Sequence, residues 1–209
     1  MEDKKLYIIH STSIANNKAV CDGQVIYENN NDAVFDDFGK QLYKKLDITY
    51  PKFYKMDHLS KLTFLACELL IRKNSAGASL PDDTALIFSN SVSTIDTDKN
   101  FISTLESVPS PSVFVYTLPN IALGELCIRH GWKGETMFLI QESFDARQLI
   151  EQVSVAFSST KITSCILGWS NYISDVNYYV NLWLISNTSD NYAQKLSEMV
   201  LLNDFNLHS

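Results

Sequence analysis

The stretch that decides the fold is Pro119-Asn-Ile-Ala-Leu-Gly-Glu-Leu-Cys-Ile-Arg-His-Gly-Trp-Lys-Gly134, followed by Thr136-Met-Phe-Leu-Ile-Gln141 and then by Ser143-Phe-Asp-Ala146. Proline suits the first turn of a helix and glycine its left-handed end, so a helix is predicted between Pro119 and Gly131. The apolar run after it has the length of a buried strand, and residues 144–157 show an amphipathic helical pattern. This part of the chain therefore predicts a helix, a strand and a second helix in succession.

The same alternation continues on both sides of this stretch. Further strands are predicted at residues 6–10, 84–88, 162–167 and 178–185, and further helices at 36–46, from Asp57 onward, at 97–107 and at 192–202. Residues 15–51 are weakly patterned and are interpreted as an excursion within one domain. Strands that alternate with helices imply crossover connections, so we expect an α/β fold with a mostly parallel sheet between helices.

The composition is that of an ordinary globular protein, with 45% apolar and 20% charged residues over 209 residues. A single domain of that length can bury a core unaided, and no cofactor is predicted. Seventeen Lys and Arg against 24 Asp and Glu give a net charge of −7, which disfavours nucleic acid as a partner. We find no secretory signal and no apolar run of about 18 residues, so we expect a cytoplasmic protein without a membrane span.

Residues that commonly carry catalysis are few and scattered. They are Cys21, Cys67, Cys127, Cys165, His10, His58, His130 and His208. The cysteines lack the spacing of metal or redox motifs, and the histidines form no ligand pair, so no metal site is predicted and a structural role is favoured for each. The chain also lacks a glycine-rich phosphate loop and a Gly-x-Ser-x-Gly elbow.

The order of these stretches resembles the N-terminal half of β-ketoacyl-acyl-carrier-protein synthases, members of the thiolase-like superfamily. Their pattern is a proline-rich loop, a small-residue helix with Ala-x-Gly-x-x-x-Ile, Gly-x-x-Gly, a strand, and a catalytic cysteine at a helix N-terminus. Tyr54-Lys-Met-Asp-His-Leu-Ser-Lys-Leu62 resembles their Met-Asp-x-x-Ser-x-Leu helix, and Ala85-Leu-Ile-Phe88 the strand that follows it. Ser93-Thr-Ile-Asp-Thr-Asp98 resembles the turn into the next helix, and Ile166-Leu-Gly168 a later strand.

The catalytic residues of the family are the main departure from this resemblance. Counting from Gly134 without a gap, Ser143 occupies the position of the family's cysteine. A serine hydroxyl is a far weaker acid than a thiol and needs a positioned base. The family's histidines and lysine belong to a C-terminal half that these 209 residues do not include. Ser143 is thus either a vestigial or repurposed nucleophile or, as we favour, the N-cap of the following helix.

The resemblance implies a thiolase-like half with a mostly parallel five-stranded sheet. We expect residues 1–209 to form a single domain like the N-terminal domain of β-ketoacyl synthases. In the full enzyme the two halves share a helical layer, so the exposed face of that layer needs a cover. Residues 169–209 are interpreted as a strand and helix that replace the missing half, or a partner supplies the cover.

The resemblance also implies partners. Family members dimerise by pairing the strand before the nucleophile across a two-fold axis, and the matching strand is Met137-Phe-Leu-Ile140. We therefore expect a homodimer, or a heterodimer with a full-length ketosynthase. An acyl carrier protein is a further candidate partner, with Arg129 and Lys133 as a local basic patch.

Three functions remain open from the sequence. The favoured one is a non-catalytic accessory or chain-length-factor-like subunit in fatty-acid, polyketide or aryl-polyene biosynthesis. The second is an acyltransferase or malonyl decarboxylase that acts through Ser143, as the resemblance to 3-oxoacyl synthases would imply. The third is an unrelated α/β protein-interaction domain. Independent enzyme activity is not expected, because both the cysteine and the histidine-bearing half are missing.

Overall fold

The computed structural model describes residues 5–29, 33–73, 79–106, 108–159, 161–188 and 193–208. The strands are β1 (Tyr7–Ala15), β2 (Lys18–Cys21), β3 (Gln24–Glu28), β4 (Ala85–Asn90), β5 (Thr136–Ile140), β6 (Ser164–Ser174), β7 (Asn177–Ser186) and β8 (Gln194–Lys195). The helices are α1 (Phe35–Lys45), α2 (His58–Lys73), α3 (Ile95–Thr104), α4 (Pro111–Val115), α5 (Ile121–His130), α6 (Ala146–Ala156) and α7 (Glu198–His208), and a short 3-10 helix spans Pro51–Lys55. None of the helices in these residues is long and apolar enough to cross a membrane.

The described strands form one mixed sheet. Its order is β3-β2-β1-β7-β6-β4-β5, and the short β8 pairs with β1. β4 is parallel to β5 and β6, whereas β7 is antiparallel to both β6 and β1. The strands β1, β4, β5 and β6 therefore run in one direction, with β7 between them running the other way.

The predicted α/β class is confirmed by this arrangement. The sheet is wider than the five strands expected, because β2, β3 and β8 were not predicted, and it is mixed where a mostly parallel sheet was expected. Only Asp175 and Val176 separate β6 from β7, and two residues can close a hairpin but cannot make a crossover. The antiparallel pair in the middle of the sheet follows from that short connection.

Two tight turns explain the strands that the sequence analysis missed. Asn16 and Asn17 have φ of 49° and 57°, and Asp22 and Gly23 have φ of 48° and 72°. Two consecutive positive φ values are typical of the type I′ turn, which favours Asn and Asp-Gly and matches the twist of a hairpin. The region interpreted as a weakly patterned excursion thus begins as a three-stranded meander, in which β1 extends five residues beyond the predicted end at His10.

The core has two layers, one on each face of the sheet. On the first face, Phe38 of α1, Leu62 of α2 and Leu126 of α5 are fully buried. On the second face, Leu149 of α6 and Leu201 of α7 are fully buried in a separate cluster. Successive strand residues supply the two clusters, since side chains alternate across a sheet. β4 is buried along its whole length for this reason.

The interpretation of residues 169–209 needs one correction. The strand within that range, β7, lies between β1 and β6 in the middle of the sheet and does not act as a cover. The helix within it, α7, does pack beside α6 on the second face. It begins at Glu198, whereas the predicted helix began at Tyr192, which lies outside the described residues.

Gly168 of β6 provides a test of how tightly side chains are packed on the first face of the sheet. A Cβ atom at this position would lie 2.7 Å from carbon atoms of Phe88 and Leu182, closer than carbon contacts of about 3.5–4.0 Å. We expect Gly168→Ala to lower the free energy of unfolding in urea by about 1–3 kcal/mol, through overpacking.

Gly124 of α5 is the matched control. A Cβ atom there meets nothing within 4 Å, and alanine is the better helix former by about 0.8–1 kcal/mol. Gly124→Ala should therefore leave the free energy of unfolding unchanged or raise it. Equal stability of the two variants would contradict the tight packing of β6.

Candidate functional site at the turn between β5 and α6

The turn between β5 and α6 carries Ser143, the candidate site residue. The backbone N–H of Gln141 donates to the carbonyl of Asn90 at 2.9 Å, which extends the parallel pairing with β4 by one residue beyond Ile140. Ser143 follows two positions later with an exposed side chain, and α6 begins only at Ala146. The turn therefore lies at the end of the sheet where the parallel strands β4 and β5 finish.

The N-cap of α6 is Asp145. Its side-chain oxygen accepts a hydrogen bond from the backbone N–H of Gln148 at 2.9 Å, and its backbone is extended. The favoured interpretation of Ser143 as the N-cap is therefore wrong. The spacing Asp-x-x-Gln is that of a capping box, and it is a signal in the sequence that could have identified Asp145 as the capping residue.

An aromatic cluster holds the turn from the side of α7. The ring of Phe144, next to Ser143, stacks on Phe205 of α7 with centroids 4.2 Å apart. Trp169 and Trp183 each lie 5.7 Å from Phe144, and the indole N–H of Trp183 donates to Asp204 at 2.5 Å. The last helix thus helps to fix the loop that carries Ser143.

A partly buried polar network lies at the same end of the sheet, where β4 ends and β6 meets β7. The amide of Asn171 donates to Ser91 Oγ at 3.0 Å and to the Tyr179 hydroxyl at 2.8 Å, and its carbonyl oxygen accepts from the Ser91 N–H at 3.1 Å. Tyr179 also accepts from the indole N–H of Trp169 at 3.1 Å. Because these groups satisfy one another, the network fixes the loop after β4.

Several solved structures share this fold, although no family model and no curated protein matches the chain. "The ishigamide ketosynthase/chain length factor" gives a TM-score of 0.62 at 11% identity, over 87% of this chain and 62% of that one. The ketosynthase ApeO in complex with its chain length factor ApeC from Xenorhabdus doucetiae gives 0.60 at 12% identity, over 88% and 80%. A β-ketoacyl synthase from Burkholderia phymatum STM815 gives 0.59 at 11% identity, over 88% and 59%.

The chain has the thiolase-like fold of β-ketoacyl synthases. At identities of 11–12% the likeness establishes the fold alone. The chain spans 62% of the first of these structures, so it corresponds to part of a longer chain there. Within this thiolase-like fold, Ser143 lies in the loop after β5, just before α6.

The histidines of this chain make their contacts away from the turn. Those with described side chains lie beside carboxylates in the pairs His10–Asp22 at 2.9 Å, His58–Asp96 at 2.7 Å and His130–Glu68 at 3.4 Å. None of these contacts involves the turn after β5. No group of three or more His, Cys, Asp or Glu among the described residues could hold a metal ion.

The cysteines of this chain are poorly placed to act as nucleophiles. Cys21, Cys67 and Cys165 are buried and Cys127 is partly buried. Burial raises the pKa of all four thiols, that of Cys21 to about 12. The thiols are therefore protonated at neutral pH, which removes the reactive form.

Asp57 was predicted as the N-cap of α2, and that prediction is confirmed. It accepts hydrogen bonds from the Ser60 N–H at 3.1 Å and from the Thr97 hydroxyl at 2.9 Å. Burial is the largest influence on its carboxyl group and raises its pKa. Since His58 also bonds to Asp96 of α3, this junction ties the starts of α2 and α3 together.

The basic patch expected for a carrier protein is largely occupied by internal contacts. The Arg129 guanidinium donates to Glu68 at 2.8 Å and lies 5.0 Å from the ring centre of Tyr50. Lys133 is well exposed and lies 3.7 Å from Asp82. The two cations therefore do not form a free pair on the surface.

The cap assignment predicts different effects for two neighbouring substitutions. Asp145→Ala removes an N-cap acceptor and should lower the free energy of unfolding by about 1 kcal/mol. Ser143→Ala alters an exposed side chain and should change it by less than about 0.5 kcal/mol. Urea unfolding followed by circular dichroism measures both, and a larger loss for Ser143→Ala would contradict the assignment.

The buried ring of His130 should make the stability of the fold depend on pH. Its pKa lies below the usual value, chiefly because burial disfavours the charged ring. The unfolded chain takes up this proton near pH ~6.5 and the folded chain only at lower pH, so the free energy of unfolding should fall between about pH 7 and pH 5. His130→Phe keeps a ring to stack on Trp132, and its stability should fall less over this range in urea titrations. An equal pH slope in the two proteins would contradict the prediction.

Proposed function

We propose that this chain is a non-catalytic, chain-length-factor-like accessory subunit that pairs with a ketosynthase-type chain through β5. The observation that carries the proposal is Ser143 itself, which the sequence resemblance aligns with the family's catalytic cysteine and which lies beside acidic and aromatic residues. A serine nucleophile needs a base within about 2.6–3.2 Å. The described histidines, His10, His58 and His130, each lie beside a carboxylate away from this turn.

The charges around the turn also oppose nucleophilic chemistry. Glu142 and Asp145 flank Ser143 and Phe144 in the sequence, and all four residues precede α6. A negative carboxylate nearby raises the free energy needed to ionise the Ser143 hydroxyl to an alkoxide. The side chain of Asp145 accepts a hydrogen bond from the Gln148 N–H as the N-cap of α6. This contact disfavours a role for Asp145 as the general base of Ser143.

The free edge of β5 supports pairing with a second chain. β5 is the last strand in the sheet order of the described chain, and Met137 and Ile140 are 38% and 53% exposed. An exposed strand edge with apolar side chains is a template for another strand. Pairing there would extend the sheet from one chain into the next.

The similar structures support the same role. Two of them are described as a ketosynthase with a chain length factor, and the chain spans 80% of the matched chain in the ApeO–ApeC complex. We further propose that residues 1–209 act as one β-ketoacyl synthase N-terminal-like domain whose second sheet face is covered by its own helices α6 and α7. The outward side of α6 supports this, because it carries the exposed ion pair of Arg147 and Glu151.

Incubation with malonyl-carrier protein and a medium-chain acyl-carrier protein tests the absence of catalysis. Intact-protein mass spectrometry should show no acyl adduct on the wild-type chain, and no malonyl decarboxylation should be detected. Ser154→Ala, which changes another exposed serine, is the matched control. An adduct that persists in Ser154→Ala and disappears in Ser143→Ala would overturn the proposal and establish the acyltransferase alternative.

A further inference from the structure

We infer that the buried side chain of Asn181, on the second face of the sheet, belongs to a binding site for a small uncharged ligand that carries a hydrogen-bond donor beside an acceptor, as a carboxamide does. The site lies between β1, β7 and the last turn of α7. It includes neither Ser143 nor β5, so the inference goes beyond the proposed function and does not depend on it.

Asn181 is a polar residue in the interior of β7 whose side chain has no partner. It is 1% exposed, and neither its amide nitrogen nor its carbonyl oxygen makes a hydrogen bond among the described residues. An asparagine side chain offers two donors and one acceptor oxygen. Burial of these groups without a partner lowers the stability of the fold, so Asn181 is a poor choice for packing alone.

The register of the strands places three further side chains beside Asn181. It lies opposite Ser13 of β1 on one side and opposite Trp169 of β6 on the other. Trp169 in turn lies opposite Ser89 of β4, whose buried hydroxyl also has no partner among the described residues. Residues that face each other across strands share one side of a sheet, so these four side chains form a row on the second face.

A groove reaches this row at its β1 end. The groove has a volume of about 340 Å³, and its lining includes Ser13, Ala15 and Lys18 of the hairpin meander and Leu207 of α7. This volume lies within the range of about 300–1,000 Å³ that is typical of ligand pockets. Because directly opposite residues have Cβ atoms about 4.5–5.5 Å apart, Asn181 lies immediately behind Ser13 as seen from the groove.

The last turn of α7 separates the groove from Asn181. The ring centre of Phe205 lies 6.2 Å from that of Trp169 and 6.3 Å from that of Tyr179, the two aromatic neighbours of Asn181 on this face. Leu207, two residues further along α7, lines the groove and is 76% exposed. A shift of this exposed last turn would join the groove to the amide of Asn181.

The chemistry of the row determines the class of ligand. A ligand with a donor beside an acceptor can bond to both polar groups of Asn181 at once, and the hydroxyl of Ser13 can add a further bond. The row carries no charged side chain. The lysine that lines the groove, Lys18, lies 3.8 Å from Glu28 of the neighbouring strand. An uncharged ligand therefore fits the row better than an ion does, because a buried charge without a partner is strongly disfavoured.

The stability of the ligand-free chain gives the first test. Asn181→Leu keeps the branched shape and removes both unpaired groups, and Ser89→Ala removes the unpaired hydroxyl without adding bulk. Both variants should unfold at a urea midpoint no lower than that of the wild type. Ser170→Ala is the matched control, because Ser170 is also fully buried but its hydroxyl lies 3.1 Å from that of Thr63.

The midpoint of Ser170→Ala should be lower than that of the wild type, since Thr63 loses its partner. A comparable fall in both Asn181→Leu and Ser89→Ala would overturn the inference. It would show that these groups are satisfied within the folded chain, by ordered water for example, and not kept for a ligand.

Binding of acetamide gives the second test. In ¹H–¹⁵N NMR spectra of the wild-type chain, acetamide should shift the backbone signals of Ser13, Asn181 and Phe205 in a saturable manner, and acetate should not. Asn181→Leu should weaken acetamide binding at least ~10-fold, because the polar groups that select the ligand are gone. Asn177→Leu, which changes an exposed asparagine of the same strand, should leave the affinity unchanged. The absence of saturable shifts in the wild type, or equal affinity of the wild type and Asn181→Leu, would overturn the inference.

Discussion

Burial of the central strands on both faces is the constraint on which the rest of this structure depends. β4 and most of β6 have no exposed residues, so both faces need a helical layer. Gly168 leaves room for the side chains of Phe88 and Leu182, which lie 2.7 Å from the place where a Cβ atom would be. The helices α1, α2 and α5 cover one face and α6 and α7 the other. The free energy gained by removing these apolar side chains from water exceeds that available from any single polar contact in the molecule.

The turn after β5 shows how this packing shapes a candidate site. In a catalytic arrangement, the nucleophile before the helix would be exposed to substrate, and a general base would lie within hydrogen-bond distance of it. Here Asp145 caps the helix, Phe144 is stacked on Phe205, and Ser143 is left on the surface. The local interactions therefore favour a rigid turn, and the same contacts that stabilise it leave Ser143 without an activating partner among the described histidines.

The two edges of the sheet differ in a way that bears on assembly. The β3 edge belongs to a hairpin meander in which Lys18 and Glu28 lie 3.8 Å apart, and charged edge residues discourage pairing with another strand. The β5 edge has apolar residues in the middle and acidic residues just beyond its ends. An exposed strand edge is a template for another strand, and this is the basis of the pairing through β5 that we propose.

The sequence by itself determined the alternation of strands and helices, the caps at Asp57 and Gly131, and the order of stretches that indicated a thiolase-like fold. These features depend on residues close together in the chain, where hydrophobic periodicity and cap chemistry act. It also contained the signals for the hairpin at Asn16-Asn17 and for the cap at Asp145, which are equally local. Only the tertiary structure decided that β7 lies between β1 and β6, that Phe205 stacks on Phe144, and that Arg129 is paired with Glu68. Each of these contacts joins residues from different elements, and their energies depend on packing that no local pattern encodes.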